Sequence, residues 1–301
     1  MSICKHLSLT AAFLLALPVI AAAADDITLK PVENFFQVPA GLTLGNCSAV
    51  AVDAKDQVYV FHRGKQPILV FDAHGKFVRS WGDDLIGKAH GLRIDFQGNV
   101  WVTDIEHHQV YKFDPSGKLL LTLGQKDSPG TALDQFDKPT DVAFGHAGVF
   151  FVSDGYGNSR VVKFAADGKP IKTWGSKGPG PGEFNTPHAI RVGQDGLVYV
   201  ADRENKRVQI FDPEGKLERI ITGFSPYGLA FAADRTLYVA DGINNNLLRL
   251  GPNGQTLQKW GTVGSGPGEY RMPHGIEVDR QGNVFVTEIT GMRAQKLERV
   301  K

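Results

Sequence analysis

Three histidines, His90, His188 and His274, each lead a short apolar segment, of sequence His-Gly-Leu, His-Ala-Ile and His-Gly-Ile. Neutral imidazole is a good ligand for zinc, and also for copper, iron and nickel. Three protein ligands with a fourth position left open are typical of a catalytic zinc site rather than a closed structural one. If the fold brings the three side chains together, they predict a metal centre, for which zinc is our first expectation.

A second group of polar residues lies in loops that we expect on the same side of the molecule. Arg63 stands in Phe-His-Arg-Gly, Tyr156 in Ser-Asp-Gly-Tyr-Gly and Arg203 in Ala-Asp-Arg-Glu-Asn. The planar guanidinium of arginine suits a carboxylate, and a tyrosine beside a metal and an arginine can act as a general base. Taken alone, these three residues fit structural roles in their loops as well as catalytic ones.

The elements that must position these residues follow from an internal repeat. The segment led by each histidine recurs in six units of about 40–50 residues, the length of a four-stranded propeller blade. Apolar and polar residues alternate in the strands, and no segment shows a sustained helical period. The sequence therefore predicts an all-β fold, a six-bladed β-propeller. The six leading residues are Ser48, His90, Thr140, His188, Tyr227 and His274.

The histidines lead units two, four and six, which a six-bladed ring turns by about 120° relative to one another. Since the leading residue opens the innermost strand, three imidazoles at one depth would converge on the central axis. The alternative is that these are ordinary residues at the start of a strand. Three histidines in one symmetric register favour the metal.

The sixth unit is too short for four strands. We expect the segment from Leu29 to Val38, which precedes the first unit, to supply the outer strand of the last blade and close the ring. Closure of this kind removes the open edges of the sheets.

Composition and charge exclude several classes of protein. The 301-residue chain has 33 Lys and Arg against 32 Asp and Glu, a formal net charge of +1, without a basic run. Nucleic-acid binding through phosphate contacts is therefore not expected. The 35 glycines are spread between apolar runs and indicate turns between short strands, and two cysteines exclude a disulfide-stapled scaffold.

Residues 1–24 are typical of a secretory signal, with Lys5 followed by an apolar stretch and four alanines. We therefore expect a signal peptide over 1–24, a propeller over 25–301, and a secreted or periplasmic protein. The apolar stretch is too short and too rich in alanine to favour a membrane anchor. Removal of the signal would leave Cys47 as the only cysteine, and we expect a monomer.

Six short motifs follow one another along the chain. They are Phe-His-Arg-Gly at 61–64, His-Gly-Leu at 90–92, Ser-Asp-Gly-Tyr-Gly-Asn-Ser-Arg at 153–160, Pro-His at 187–188, Ala-Asp-Arg-Glu-Asn at 201–205 and Met-Pro-His at 272–274. In this combination they resemble the peptidyl-α-hydroxyglycine α-amidating lyases, which are six-bladed propellers of NHL repeats. The resemblance extends over most of residues 45–290.

This resemblance implies a zinc ion held by the three histidines, with Arg63, Tyr156 and Arg203 as the catalytic residues. It implies a carbon–nitrogen lyase that cleaves a peptidyl- or N-acyl-α-hydroxyglycine to an amide and glyoxylate. The expected partner is therefore a small peptide or an N-acyl hydroxyglycine. Where the family has an aspartate that helps bind a structural calcium, this chain has Gly275, which leaves calcium binding near Leu92 open.

Two other functions fit the same predicted fold. A non-catalytic NHL propeller would bind a protein or a glycan at the mouth of its channel and would contain no stoichiometric metal. A propeller hydrolase of the lactonase or esterase type would use an axial calcium, for which Asp, Glu and Asn ligands are typical. The three histidines favour the lyase over this hydrolase.

Overall fold

The computed structural model describes residues 26–300, which form six four-stranded antiparallel sheets. The sheets surround a channel as the blades of a propeller, so the predicted all-β, six-bladed fold is confirmed. The signal peptide expected over 1–24 lies outside the described residues and stays a prediction. Within 26–300 no helix is long and apolar enough to cross a membrane.

Strand β1 (Thr28–Val32) precedes the first complete blade. The first three blades consist of β2 (Cys47–Val52), β3 (Val58–His62), β4 (Ile68–Phe71) and β5 (Phe77–Trp81); β6 (Ala89–Ile94), β7 (Val100–Asp104), β8 (Gln109–Phe113) and β9 (Leu119–Leu123); and β10 (Pro139–Phe144), β11 (Phe150–Asp154), β12 (Arg160–Phe164) and β13 (Pro170–Trp174). A short 3-10 turn, His146–Gly148, links β10 to β11.

The other three blades repeat this order. They consist of β14 (Pro187–Val192), β15 (Val198–Asp202), β16 (Arg207–Phe211) and β17 (Leu217–Thr222); β18 (Pro226–Phe231), β19 (Leu237–Asp241), β20 (Asn246–Leu250) and β21 (Thr256–Trp260); and β22 (Pro273–Val278), β23 (Val284–Glu288) and β24 (Arg293–Val300). The first strand of each blade contacts the first strands of both neighbouring blades, so these six strands line the channel.

The ring is closed by β1, which pairs antiparallel with β24 and completes the sixth blade. The predicted closing strand is thus confirmed, but it ends at Val32 rather than near Val38. A turn follows in which Asn34 has a φ of 52°, a left-handed conformation that interrupts the strand. Beyond it, Phe35 packs on Phe285 of the last blade, with ring centroids 5.9 Å apart.

Apolar side chains fill the seams between adjacent blades. In the first seam, Tyr59 and Phe61 of blade one pack with Leu92 and Tyr111 of blade two, and all four are buried. In the first five blades, the second and third strands are buried along nearly their whole length, because both of their faces are covered. These seams fix the angle between blades, and so the position of every residue at the channel mouth.

Candidate metal centre

The structure brings His90, His188 and His274 together at one mouth of the channel. They are the second residues of β6, β14 and β22 and are 2%, 1% and 4% exposed. One ligand nitrogen from each lies within 4.8 Å of the other two, and the Nε2 atoms of His90 and His188 are 3.1 Å apart. The rings meet edge to face around a common point.

Backbone carbonyls fix the orientation of the three imidazoles. The Nδ1 atoms of His90, His188 and His274 lie 2.7, 2.6 and 2.6 Å from the carbonyl oxygens of Thr140, Tyr227 and Ser48. A carbonyl can only accept, so each Nδ1 carries the proton and each Nε2 presents a lone pair to the centre.

Burial keeps these imidazoles neutral. It is the main cause that lowers the pKa of all three, and the pKa of His274 falls to about 3. The positive charges of Arg63 and Arg203 lower the pKa of His90 and His274 further, and that of Arg203 lowers the pKa of His188. Three unprotonated nitrogens aimed at one point are a donor set that can hold a metal ion.

An irregularity of the inner strands aims these side chains into the channel. Pairing of β6 with β7 skips from Ala89 to Leu92, and pairing of β22 with β23 skips from Pro273 to Ile276. Such a bulge rotates the unpaired residue out of the alternating pattern of the strand. The amide of Gly91, which the bulge removes from the ladder, donates instead to the buried hydroxyl of Thr103 at 2.7 Å.

Glycine after two of the histidines lets the blades approach closely. A Cβ atom at Gly91 would lie 2.5 Å from the carbonyl oxygen of Thr140, the acceptor of His90. A Cβ atom at Gly275 would lie 2.9 Å from the carbonyl oxygen of Ser48, the acceptor of His274. Both distances are too short for a side chain, so glycine is needed where the next blade supplies the carbonyl.

The other predicted site residues lie at the same mouth. The hydroxyl of Tyr156 is 3.1 Å from the Nε2 atoms of both His90 and His188. Arg203 donates from Nη1 to that hydroxyl at 3.1 Å. Arg63 is half-buried and donates from Nε to the carbonyl of Ala89 at 3.1 Å. All six predicted residues therefore surround one centre.

Two residues that the sequence analysis did not assign to the site hold Arg203 in place. Its guanidinium lies between the rings of Tyr156 and Tyr227, 5.3 and 4.9 Å from their centroids. Glu204 accepts from its Nε at 2.8 Å and from its Nη2 at 2.7 Å. Tyr227 occupies the leading position of unit five, so an aromatic residue in the histidine register was the signal that could have identified it.

Beneath the histidines the channel contains arginines and carboxylates. Arg93 donates from Nη2 to Asp141 at 2.6 Å, and Arg191 donates from Nη2 to Glu277 at 3.1 Å. Arg93 also donates from Nη1 to the carbonyl of Leu92 at 3.1 Å. These four side chains, the channel charge cluster, separate the metal centre from the opposite mouth.

The residues present do not fit a calcium ion at this place. Position 275 offers no carboxylate, and the Leu92 carbonyl already accepts from a guanidinium. Calcium requires six to eight oxygen ligands. A cavity of about 10 Å³ between the histidines and Arg93 has room for one water-sized group. The described residues near Leu92 therefore do not supply a complete set of calcium ligands.

Comparisons with known proteins agree with the fold and the motifs. Residues 184–211 match the NHL repeat family. The chain is 34% identical over 289 residues to peptidyl-alpha-hydroxyglycine alpha-amidating lyase 2 of Drosophila melanogaster. This alignment covers 82% of this chain and 69% of that protein. It is 33% identical over 275 residues to NHL repeat-containing protein 3 of Mus musculus, covering 84% of this chain and 79% of that one.

Longer relatives and solved structures complete this picture. The chain spans between 21% and 33% of the length of peptidyl-glycine alpha-amidating monooxygenases from Rattus norvegicus, Mus musculus and Xenopus laevis. Among solved structures, a streptogramin B lyase superimposes with a TM-score of 0.66 over 91% of this chain and 98% of its own. At 17% sequence identity, that likeness concerns the fold alone.

Proposed function

Because the chain belongs to the NHL-repeat family of peptidyl-α-hydroxyglycine α-amidating lyases, we propose that it is a zinc-dependent lyase acting on peptidyl- or N-acyl-α-hydroxyglycines. The products are an amide and glyoxylate. One observation carries this proposal: three histidine nitrogens converge within 4.8 Å of one another, with the Tyr156 hydroxyl 3.1 Å from two of them.

Zinc is the metal that this donor set favours. His90, His188 and His274 would hold it through three neutral nitrogens, with the Tyr156 hydroxyl beside them, and three protein ligands are typical of catalytic zinc sites. The carbonyls behind the imidazoles provide the second shell of hydrogen bonds that usually orients zinc-binding histidines. When bound, the ion would supply a Lewis acid that polarises a substrate oxygen.

Substrate binding falls to Arg63. Its guanidinium has no carboxylate partner among residues 26–300, and its charge faces the histidines, since it lowers the pKa of His90 and His274. In contrast, two nitrogens of Arg203 are already occupied by Glu204. The guanidinium of Arg63 is therefore the group available to bind the hydroxyglycine carboxylate through two parallel hydrogen bonds.

Proton transfer falls to Tyr156. As the carbon–nitrogen bond breaks and the carbon–oxygen bond becomes the carbonyl of glyoxylate, its oxygen takes the proton of the substrate hydroxyl while its own phenolic proton passes to the departing amide nitrogen. The tyrosine therefore carries one proton before and after the step. One proton has moved from oxygen to nitrogen, and no water is consumed. Arg203, 3.1 Å away, keeps a positive charge beside the tyrosine oxygen throughout.

The test combines metal analysis with product analysis. Protein purified without chelators is assayed for zinc and then incubated with N-benzoyl-α-hydroxyglycine, with heat-denatured protein as the blank. We expect close to one zinc per chain, and benzamide and glyoxylate in equal amounts. Metal-free protein from such a preparation would exclude the zinc centre. Zinc-loaded protein that releases no glyoxylate above the blank would exclude the lyase.

The second result would leave a non-catalytic propeller. The similarity to NHL repeat-containing protein 3, whose name states no activity, is the observation in its favour. That function explains neither the buried convergence of three imidazoles nor the tyrosine hydroxyl that lies 3.1 Å from two of them. A hydrolase with an axial calcium is disfavoured by the channel charge cluster, which occupies the axis below the histidines.

A further inference from the structure

A hollow of about 600 Å³ opens beside the proposed reaction centre, above blade two. Tyr156 and Arg63 form its inner end, and Ile105, 9% exposed, is its most buried apolar residue. We call it the blade-two hollow. It is lined by Arg63, Lys88, Ile105, Glu106, Lys138 and Tyr156. A substrate whose carboxylate binds Arg63 can extend its acyl group into this space.

The lining of the blade-two hollow carries unneutralised positive charge. Lys88 and Lys138 are exposed, and neither ammonium has a carboxylate partner anywhere in the described part of the chain. Arg63 has none either, and Glu106 is the single carboxylate in the lining. When the substrate carboxylate neutralises Arg63, the two lysines and Glu106 still give the lining a net charge of about +1.

The backbone that carries these charges is firmly held. The carboxylate of Asp104, which is fully buried, accepts from the amides of Lys88 and Glu106, both at 2.9 Å. The amide of Lys138 donates to Nδ1 of His108 at 3.1 Å, and its carbonyl accepts from the Tyr156 amide at 3.4 Å. The backbone of both lysines therefore stands at a fixed position relative to Tyr156, so that binding does not have to order a mobile loop.

On these grounds, and resting on the proposed lyase function, we propose that the preferred substrates are acyl-α-hydroxyglycines whose acyl group bears a second negative charge. An apolar body would cover Ile105, and the anionic end would lie between Lys88 and Lys138. Such a substrate is a dianion, with one carboxylate for Arg63 and one for the lysines. Glu106 weakens the preference, so its neutral variant strengthens it.

The experiment compares three N-benzoyl-α-hydroxyglycines that differ only at the para position of the ring: carboxylate, hydrogen and aminomethyl. Glyoxylate release by the zinc-loaded full chain gives kcat/KM for each. We expect the carboxylate to exceed the unsubstituted compound by about 3- to 10-fold and the aminomethyl compound to fall below it, as two solvent-exposed ion pairs allow. The difference resides in KM and shrinks as salt concentration rises.

Matched variants locate the effect. The double variant Lys88→Gln, Lys138→Gln is expected to bring the ratio of kcat/KM for the para-carboxylate compound to that for the unsubstituted compound to about one. Glu106→Gln is expected to raise this ratio about twofold. The control is Lys55→Gln with Lys76→Gln, which removes the same charge from turns on the opposite face of the propeller and leaves the ratio unchanged.

The outcomes separate the two proposals. Equal kcat/KM for all three compounds, or a ratio that the Lys88 and Lys138 changes do not move, overturns the substrate preference and leaves the lyase standing. No glyoxylate from any compound overturns the lyase itself, and the preference with it.

Discussion

At the scale of single residues, each imidazole of the metal centre is oriented by a backbone carbonyl of the blade that follows it. Histidines in one register of alternate repeats were enough to predict their convergence. The acceptors of their Nδ1 protons are backbone carbonyls of Ser48, Thr140 and Tyr227, each the leading residue of the next blade. Every residue has a backbone carbonyl, so the residue type does not show which carbonyl will accept a hydrogen bond. Only the packed structure reveals this arrangement.

The role of Tyr156 is tested by removing its hydroxyl. Tyr156→Phe loses the proton acceptor while the three histidines stay intact, so we expect kcat to fall by about 10²- to 10⁴-fold with zinc content unchanged. The assay is glyoxylate release from N-benzoyl-α-hydroxyglycine, with zinc measured on the same preparation.

Tyr199→Phe is the matched control for this change, because Tyr199 bonds Asp195 in a turn away from the histidines. It is expected to keep wild-type kcat. A Tyr156→Phe variant with full zinc and wild-type kcat would remove the tyrosine from the mechanism.

At the scale of strands, the structure adds a device that the repeat alone did not predict. The bulges that place His90 and His274 leave two residues unpaired in each strand. In both bulges the amide of the glycine after the histidine donates a hydrogen bond to a threonine hydroxyl instead. The repeat predicted the strand and its leading residue. It could not predict the bulge, because a slip in pairing depends on the partner strand and on the neighbouring blade.

Glycine at the bulge is tested by Gly91→Ala. The added methyl group would lie 2.5 Å from the Thr140 carbonyl oxygen and so displace the acceptor of His90. Loss of such a second-shell bond is expected to weaken zinc binding by about 10- to 100-fold. Competition against a chromogenic zinc chelator measures the affinity.

The control for this change is Gly145→Ala. Gly145 has a φ of −98°, and a methyl group there would lie 3.2 Å from the Phe151 ring at its closest contact. Its zinc affinity should match wild type. A folded Gly91→Ala protein with undiminished affinity would show that the carbonyl does not support the imidazole.

The channel charge cluster predicts a fold that does not depend on calcium. Arg93 already donates to the carbonyl of Leu92 and the carboxylate of Asp141 in the channel. We therefore expect that added calcium finds too few oxygen ligands to bind there and to stabilise the fold. Thermal unfolding of zinc-loaded, calcium-depleted protein should give one melting temperature with or without millimolar calcium. A calcium-dependent rise of several degrees would contradict the cluster as the element that fills the channel.

Glu277 makes this cluster sensitive to pH. Burial raises the pKa of its carboxyl to about 7 in the fold, partly offset by Arg93, against an ordinary value of 4.5. The folded protein therefore binds this proton more tightly than the unfolded chain does. Its contribution to stability is complete below about pH 4.5 and is lost as pH rises through 7.

The measurement is urea unfolding of wild type and Glu277→Gln between pH 5 and 8. The amide stays neutral, so the free energy of unfolding of wild type should decline relative to the variant as pH increases. A constant difference across this range would mean that Glu277 keeps one protonation state in the fold.

At the scale of the whole molecule, closure by the N-terminal segment was predictable because the sixth unit lacked a strand. Leu29 is buried in the seam between blades five and six, as an outer closing strand requires. The end of that strand at Val32 was not predictable. The segment after it follows the shape of the seam between the last and first blades, where Phe35 meets Phe285.

The ring also explains why the centre is a property of the entire chain. Its ligands come from blades two, four and six, and each imidazole is held by the blade that follows. No single repeat contains more than one ligand, so metal binding requires that the propeller be closed. Zinc bound to the native state should in turn stabilise all six blades together.

Whether catalysis depends on a metal at the three histidines is decided by a zinc titration of metal-free protein with activity as the readout. Protein stripped of metal is given increasing zinc, and the initial rate of glyoxylate release from N-benzoyl-α-hydroxyglycine is followed. We predict a rate that starts at the blank, rises linearly and stops rising at one zinc per chain, and no recovery in His188→Ala. Full activity without metal, or none at one equivalent of bound zinc, would contradict this dependence.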